Sequence, residues 1–197
     1  YTAPADYDAQ QRVGSCIILV EDGKGGQSVS LLDLGVTPLN DAPLVDSLVL
    51  TVAEGSPAQL LGLAAPSDVD SPSLTIRVTE LPLLGRVTLA NGTPIALGQS
   101  LTSAQLTSLT YLAPDDYDGT APVGAFRYQV DDGAGQSNSQ VTGSVTLVVT
   151  PVNDLPFAAN GALTVNEESV GTPLSISAPS DVEGDPLTVS VTELPLL

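Results

Sequence analysis

The sequence predicts an all-β protein made of tandem antiparallel Greek-key β-sandwiches, and three observations support this prediction. Short segments of alternating apolar and polar residues run through the middle of the chain, as expected of strands that bury one face. Turn-forming residues separate these segments at intervals of roughly eight to twelve residues. Whole stretches of sequence also recur at a constant interval of 113 residues, which indicates a repeat architecture.

The interval between copies predicts the domain organisation. Residues 65–69 (APSDV) return unchanged at 178–182, and residues 78–84 (VTELPLL) return unchanged at 191–197. We therefore predict the C-terminal part of a preceding repeat at 1–41, one complete repeat at 42–154 and the N-terminal part of a following repeat at 155–197.

The copies differ in length at one place. Residues 1–8 match 111–118 at an interval of 110, so the later copy carries three extra residues near 136–143. This alignment puts Cys16 at the position of Phe126. We expect Cys16 to be a buried small hydrophobic residue rather than a nucleophile.

The strands of the complete repeat follow from the alternation. Segments 125–131 and 139–150 each place an apolar residue at alternate positions, a pattern that a helix does not produce. The residues expected to face inward are Phe126, Tyr128, Val130, Val141, Val145, Leu147 and Val149. Further short strands are predicted at 48–52, 74–78 and 86–89.

Two connections have recognisable local signals. Asn91 and Gly92 lie between apolar segments and predict a tight hairpin turn. Residues 102–106 (TSAQL) predict a capped, single-turn helix.

Composition excludes several classes of function. The net charge is −18, from 23 acidic and 5 basic residues, which argues against nucleic acid and anionic membrane surfaces as partners. No apolar segment approaches the ~20 residues needed to span a bilayer. One cysteine excludes an intramolecular disulfide, and the lack of histidine disfavours zinc. No signal peptide opens the chain, so we expect it to come from a longer protein.

Two proline-bracketed segments connect the repeats: the first linker (residues 38–43, PLNDAP) and the second linker (residues 151–156, PVNDLP). Proline fixes φ and donates no backbone hydrogen bond, so each linker should end a strand and direct the chain stiffly into the next unit. The central Asn-Asp pair supplies oxygen atoms at the joint, although such a pair can also form a simple Asx-turn.

The acidic residues are clustered at predicted strand ends and loops. Like charges held within ~4 Å repel by up to ~4 kcal/mol at an effective dielectric of 20, so clusters of this kind call for a cation. Carboxylates, amide oxygens and backbone carbonyls are the ligands that Ca²⁺ prefers. Acidic solubility alone is the simpler alternative. The clusters lie at Glu54, 68–70, 115–118, 131–133 and 153–154.

These residues also carry a family resemblance. Glu54, the pair Asp68 and Asp70, Asp132 before Gly133, and the closing Asn-Asp-x-Pro resemble the calcium-binding positions of cadherin-type repeats. The layout of residues 98–154 is most similar to cadherin-like repeats of large bacterial surface adhesins, and to the related chondroitin-sulfate-proteoglycan-type repeats. The resemblance implies a cadherin-like or immunoglobulin-like sandwich with calcium held between consecutive repeats.

The resemblance also implies ligand sets for the two joints. The linkers lack the additional acid and the second Asn of the cadherin pattern, so we expect one or two ions per joint. The first joint would use Asp6, Asp8, Asn40, Asp41, Asp68, Asp70 and Asp132. The second joint would use Glu54, Asp116, Asp118, Asn153, Asp154, Asp181 and Glu183.

The function predicted from this resemblance is a calcium-rigidified extender repeat of an extracellular, cell-surface adhesin that supports cell adhesion or biofilm attachment. Its partners would be neighbouring repeats of the same chain, with homophilic, carbohydrate or protein binding assigned to other regions. No membrane insertion, no nucleic acid and no catalytic residue are expected.

Three alternatives stay open from the sequence. The repeat could bind a sugar or a protein itself, with Tyr1, Tyr7, Tyr111 and Tyr117 as stacking candidates, although their place in the repeat suggests packing under a loop. Asp115 and Asp116 could act as a glycosidase pair. The incomplete ends, 1–41 and 155–197, could complement one another between neighbouring molecules.

Overall fold

The computed structural model describes residues 1–10 and 12–195, so the last two residues of the repeated segment 191–197 lie outside the described residues. Ten strands and one short helix form in this part of the chain. They are β1 (Ser15–Glu21), β2 (Gln27–Asp33), β3 (Ser47–Ala53), β4 (Gln59–Leu60), β5 (Thr75–Glu80), β6 (Arg86–Thr88), β7 (Ser100–Leu101), α1 (Ser103–Thr107), β8 (Thr110–Leu112), β9 (Ala125–Asp131) and β10 (Gln140–Thr150).

Strands β3 to β10 form two sheets of one sandwich. The larger sheet has five strands in the order β3-β10-β9-β5-β7, and the smaller has three in the order β4-β8-β6. Strands β1 and β2 pair only with each other. The predicted all-β sandwich of the immunoglobulin-like class is confirmed.

One strand pair departs from the predicted antiparallel arrangement. Strands β3 and β10 run parallel, with Ser47 opposite Ser144 at one end and Ala53 opposite Thr150 at the other. The first linker precedes β3 and the second linker follows β10. The parallel pairing therefore places the two linkers at opposite ends of the sandwich.

The core lies between the two sheets and consists mainly of aliphatic side chains around four aromatic rings. Phe126, Tyr128 and Val130 of β9 are fully buried, as the alternation predicted. In β10, Val145, Leu147 and Val149 are buried while the residues between them are not. The rings of Phe126 and Tyr128 stack with centroids 5.9 Å apart.

The two local predictions are also confirmed. Gly92 has φ +81° in a tight turn, and the Leu89 N–H donates across it to the Thr93 carbonyl at 2.9 Å. Helix α1 begins after Thr102, whose hydroxyl accepts from the Gln105 N–H, and the Gln105 side chain accepts from the Thr102 N–H in return. This capping box stabilises a turn that would not form alone.

The buried position expected for Cys16 is wrong. All seven residues of β1 are exposed, and Cys16 is a free, exposed thiol. The β1–β2 hairpin has no second sheet packed on it among the described residues, so the face that Phe126 buries in the complete repeat stays open here.

Residues 155–195 contain no strand among the residues described. One isolated β-bridge lies within this segment: Phe157, directly after the second linker, and Ser180 exchange backbone hydrogen bonds of 2.7 and 3.0 Å. The same bridge joins Leu44 and Ser67 at the start of the complete repeat. In the described part of the chain, no helix has the length and apolarity that a membrane span requires.

Candidate metal sites at the two linkers

Three carboxylates converge at the second linker. Glu54, Asp154 and Glu183 each offer an oxygen, and these oxygens lie within 4.8 Å of one another. The three come from different parts of the chain: Glu54 directly follows β3, Asp154 belongs to the linker, and Glu183 lies in the segment after it. A cation bound here would therefore connect the complete repeat to the segment that follows.

Backbone amides hold Glu54 in place. Its side chain is buried, with one oxygen accepting from the Val152 N–H at 2.5 Å and the other accepting from the Tyr117 N–H. Each carboxylate oxygen has a further lone pair beyond these bonds. Glu54 is thus oriented by the fold and still able to act as a ligand.

Two oxygens of this cluster are buried without a hydrogen-bond partner, Asp154 Oδ2 and Glu183 Oε1. The other oxygen of Glu183 accepts from the Asp154 N–H at 3.3 Å. A buried polar atom left unpaired costs about 1–3 kcal/mol, and more when the group is charged. A cation bound between these two atoms would satisfy both of them.

The electrostatics of Asp154 agree with this geometry. Burial raises the pKa of the Asp154 carboxyl, and neighbouring negative charges raise it further. The charges that act on Asp154 are those of Glu183, Glu54, Asp116 and Asp181. A cation among these groups would reverse the effect, because it favours the ionised form of each carboxyl.

The first linker shares two backbone contacts with the second at equivalent positions. The Asp41 N–H donates to Asp70 Oδ2 at 2.6 Å, as the Asp154 N–H does to Glu183. Asp68 Oδ1 accepts from the Asp70 N–H at 2.8 Å, while Asp68 Oδ2 is buried without a partner. Two backbone contacts therefore recur at both linkers, while among the described residues three carboxylates converge only at the second linker.

Asp6 and Asp116 lie close enough to the two linkers for their charges to act on Asp41 and Asp154 respectively. Burial raises the pKa of the Asp41 carboxyl, and the charges of Asp6, Asp70 and Asp68 add to the effect. Asp6 has φ +55° and Asp116 has φ +54°, an uncommon left-handed conformation in both copies. The loop that carries this aspartate is thus folded alike beside each linker.

Side-chain amides of two asparagines connect the first linker to the β9–β10 loop. Asn40 Nδ2 donates to Asp132 Oδ2 at 2.9 Å and to Asn138 Oδ1 at 3.2 Å. Asn138 Nδ2 donates back to the Asn40 carbonyl at 2.6 Å. Donation from the Ala134 N–H lowers the pKa of Asp132, and the Asn40 side chain contributes to this shift.

The structure thus brings together most of the residues that the sequence named. Asp8 lines a surface cavity with Asn40 and Asp70. Asp118 accepts from the N–H and the hydroxyl of Thr120. At the first linker the gathered residues are Asp6, Asp8, Asn40, Asp41, Asp68, Asp70 and Asp132. At the second linker they are Glu54, Asp116, Asp154, Asp181 and Glu183, with Asn153 donating from Nδ2 to the Asp154 carbonyl.

Sequence reasoning missed Asn138. It lies in the β9–β10 loop, where the later copy carries three extra residues, and that difference in length was the available signal.

The tyrosine candidates for sugar stacking differ in exposure between the two copies. In the complete repeat Tyr111 and Tyr117 are buried, with hydroxyls donating to the Leu84 and Ala121 carbonyls at 2.9 and 2.7 Å. Their packing under a loop is as expected. Tyr1 is 76% exposed.

A two-sheet sandwich with a linker and an acidic cluster at each end defines an immunoglobulin-like module. The bacterial Ig domain family matches residues 40–147, more than half of the 197 residues, so the chain belongs to this family. Membership indicates an extender or surface role, and bacterial Ig-like domains are often part of extracellular or surface proteins.

The other comparisons add little. No curated protein matches the chain. Among solved structures, an endo-fucoidan hydrolase from glycoside hydrolase family 107 is similar at 17% identity with a TM-score of 0.36, over 76% of this chain and 21% of that one. The chain thus spans about a fifth of that hydrolase, and the likeness carries no functional argument.

Proposed function

We propose that this chain is a calcium-rigidified extender of a bacterial cell-surface adhesin, in which a cation at each linker fixes one repeat against the next. The observation that supports this most is the convergence of Glu54, Asp154 and Glu183 at the second linker, with two buried oxygens unpaired. Further support comes from the first linker, where Asp41 donates to Asp70 and Asp70 donates to Asp68 through their backbone N–H groups, as the equivalent residues do at the second linker.

The origin of the ligands explains the mechanical effect. At the second linker one carboxylate comes from the sandwich, one from the linker and one from the following segment. In the absence of a cation these negative charges repel and the joint bends. A bound cation holds all three together, so a flexible acidic connection becomes stiff.

Calcium fits the ligand types better than other common ions. It accepts six to eight oxygens in flexible geometry, and both clusters offer carboxylates, amide oxygens and backbone carbonyls. Zinc would need histidine or cysteine ligands, and the chain has no His and one Cys, which lies in β1. Extracellular modules bind calcium at ~10⁻⁴–10⁻³ M, which is the affinity we expect.

The fold suits an extender. Strand β10 has 11 residues, which corresponds to about 36 Å at ~3.3 Å per residue. Because β3 and β10 run parallel, successive repeats are added along this length rather than folded back. Such a stalk would project the binding tip of an adhesin from the cell surface for cell adhesion or biofilm attachment, with neighbouring repeats of the same chain as its direct partners.

The test combines calorimetry with limited proteolysis. We expect Ca²⁺ to bind with the affinity above, Mg²⁺ to bind more weakly, and chelation to accelerate cleavage at both linkers. Cleavage patterns that are identical in Ca²⁺ and in chelator, together with no heat of Ca²⁺ binding, would overturn the proposal.

A matched pair of variants locates the site. Asp154→Asn removes a charge from the second linker, and we expect calcium protection there to need about tenfold more Ca²⁺, equivalent to ~1.4 kcal/mol. Protection of the first linker should not change. The control, Glu167→Gln, removes an exposed charge from the same segment and should behave as the unsubstituted protein.

A further inference from the structure

The β9–β10 loop is longer than its counterpart in the preceding copy. Residues 132–139 (DGAGQSNS) connect β9 to β10, whereas residues 22–26 (DGKGG) connect β1 to β2. The short loop is closed on itself, because Asp22 Oδ1 accepts from the Lys24 and Gly26 N–H groups at 2.7 and 2.9 Å. The additional residues of the long loop are therefore not needed to join the strands.

The long loop carries Asn138 to the first linker. Asn138 and Asn40 are 98 residues apart, and they exchange two hydrogen bonds: Nδ2 of Asn138 to the Asn40 carbonyl, and Nδ2 of Asn40 to Asn138 Oδ1. A third bond joins Asn40 Nδ2 to Asp132 at the base of the loop. The linker is thus bonded to the loop through both its backbone and its side chain.

The loop is rigid enough to position Asn138. Ser139 beside it is buried, and its hydroxyl accepts from the Gln136 N–H at 2.9 Å while its own N–H donates to the Gln136 carbonyl at 3.2 Å. The Ser139 carbonyl accepts from the Asp132 N–H at 3.1 Å. These contacts fix the residues on either side of Asn138.

We propose that Asn138 is a positioning residue that clamps the first linker to the complete repeat without any metal. By holding Asn40, the clamp keeps the neighbouring Asp41 against Asp70, so part of the ligand set is arranged in advance. The clamp deepens the proposed function, and rests on it only for the identity of Asp41 and Asp70 as ligands. Loop length then sets how stiff a joint is when calcium is low.

The experiment compares Asn138→Ala with Ser137→Ala, an exposed neighbour in the same loop, in the full chain with chelator present. Loss of the two Asn138 bonds should accelerate cleavage at the first linker about fivefold or more. Cleavage at the second linker should stay unchanged in both variants. The ¹⁵N order parameters of the Asn40 and Asp41 amides should fall in Asn138→Ala alone.

A rescue separates positioning from general destabilisation. Asn138→Gln keeps the donor and the acceptor on a longer side chain and should restore part of the protection, while the thermal midpoint of the complete repeat stays constant in all three variants. Equal first-linker cleavage in Asn138→Ala and Ser137→Ala would overturn the clamp.

Calcium titration distinguishes this proposal from the function on which it rests. If Asn138→Ala accelerates cleavage in chelator but Ca²⁺ protects neither linker, the clamp stands and the calcium function fails. If Ca²⁺ protects both linkers and Asn138→Ala has no effect in chelator, the calcium function stands and the clamp fails.

Discussion

The chain contains two copies of one hairpin in two different surroundings. In β1–β2, Ser15 lies opposite Asp33 and Glu21 lies opposite Gln27. The β9–β10 hairpin pairs the equivalent positions in the same register, from Ala125 and Thr146 to Asp131 and Gln140. The first hairpin is exposed along its whole length, and the second supplies the centre of the core.

This difference shows which features belong to the hairpin and which to the sandwich. The register is the same in both copies although the connecting loops differ in length, so pairing between the two strands is sufficient for it. Burial is present only where a second sheet covers the hairpin. The chemistry of a position such as Cys16 therefore depends on the strands packed against it.

The largest expected effect comes from completing the first copy. Joining residues 42–110 ahead of Tyr1 would give the β1–β2 hairpin the sheet that covers β9–β10, and Cys16 would become buried. A buried thiol reacts only through opening of the fold, so its reaction with a disulfide reagent should slow about a thousandfold or more. The measurement is the rate of thiol labelling in the chimera against that in the present chain. Equal rates would show that the copies are not interchangeable.

The next test removes the equivalent side chain from each copy. Phe126→Ala should destabilise the complete repeat by about 3–5 kcal/mol, because Phe126 is fully buried. Cys16→Ala should leave the same unfolding transition unchanged. Urea denaturation of both variants measures the difference. A similar loss in both would mean that the β1–β2 hairpin contributes to the core.

A smaller effect concerns one cross-strand pair. Gly143 lies opposite Tyr128, and a Cβ on Gly143 would overlap the Tyr128 ring. In the first copy the equivalent pair is Ile18 with Ser30. The bulky Tyr128 thus faces a glycine, whereas the smaller Ile18 faces a serine. Gly143→Ser should cost about 1–3 kcal/mol, and Ser30→Gly should cost nothing measurable. Addition of Tyr128→Ile to Gly143→Ser should relieve the clash, so the double variant should lose less than the sum of the two single losses.

The smallest effect is the pH dependence of a repeated tyrosine. Burial raises the pKa of Tyr111 to about 12 from its ordinary value of 10.0, and the neighbouring Tyr117 contributes. Because the folded-state pKa is the higher one, this stabilisation is complete below pH 10 and is lost as the pH rises through about 12. Tyr111→Phe should flatten the fall in unfolding free energy over this range. Tyr1→Phe, at the exposed equivalent position, is the control and should leave the pH profile unchanged.

Much of the fold could be predicted from the sequence, because alternation and turn chemistry act locally. The strands around Phe126 and Val145, the Asn91 turn and the capped helix needed no long-range information. The parallel pairing of β3 with β10 could not be predicted, since an alternating strand has the same pattern in either direction. The exposure of Cys16 depends on strands that the alignment cannot supply.

The candidate site also has a part that the sequence predicted and a part that it did not. The acidic clusters were predicted because the repeat places Asp41 and Asp154, and Asp68 and Asp181, at equivalent positions. The contact of Asn138 with Asn40 joins residues 98 apart through a loop of irregular conformation, and no periodic pattern encodes it. Asp118 shows another local effect, since its oxygens accept from the N–H and the hydroxyl of Thr120, and its position in the motif did not predict these bonds.

The parallel pairing of the first and last strands of the sandwich also determines how the repeat responds to force. When the two linkers are pulled apart, β3 and β10 are drawn past each other along their length. All the hydrogen bonds of seven register positions, from Ser47 with Ser144 to Ala53 with Thr150, are then loaded in shear at once. An antiparallel pair pulled from one end would unzip bond by bond. A sandwich pulled through its two linkers therefore resists unfolding by shear between β3 and β10.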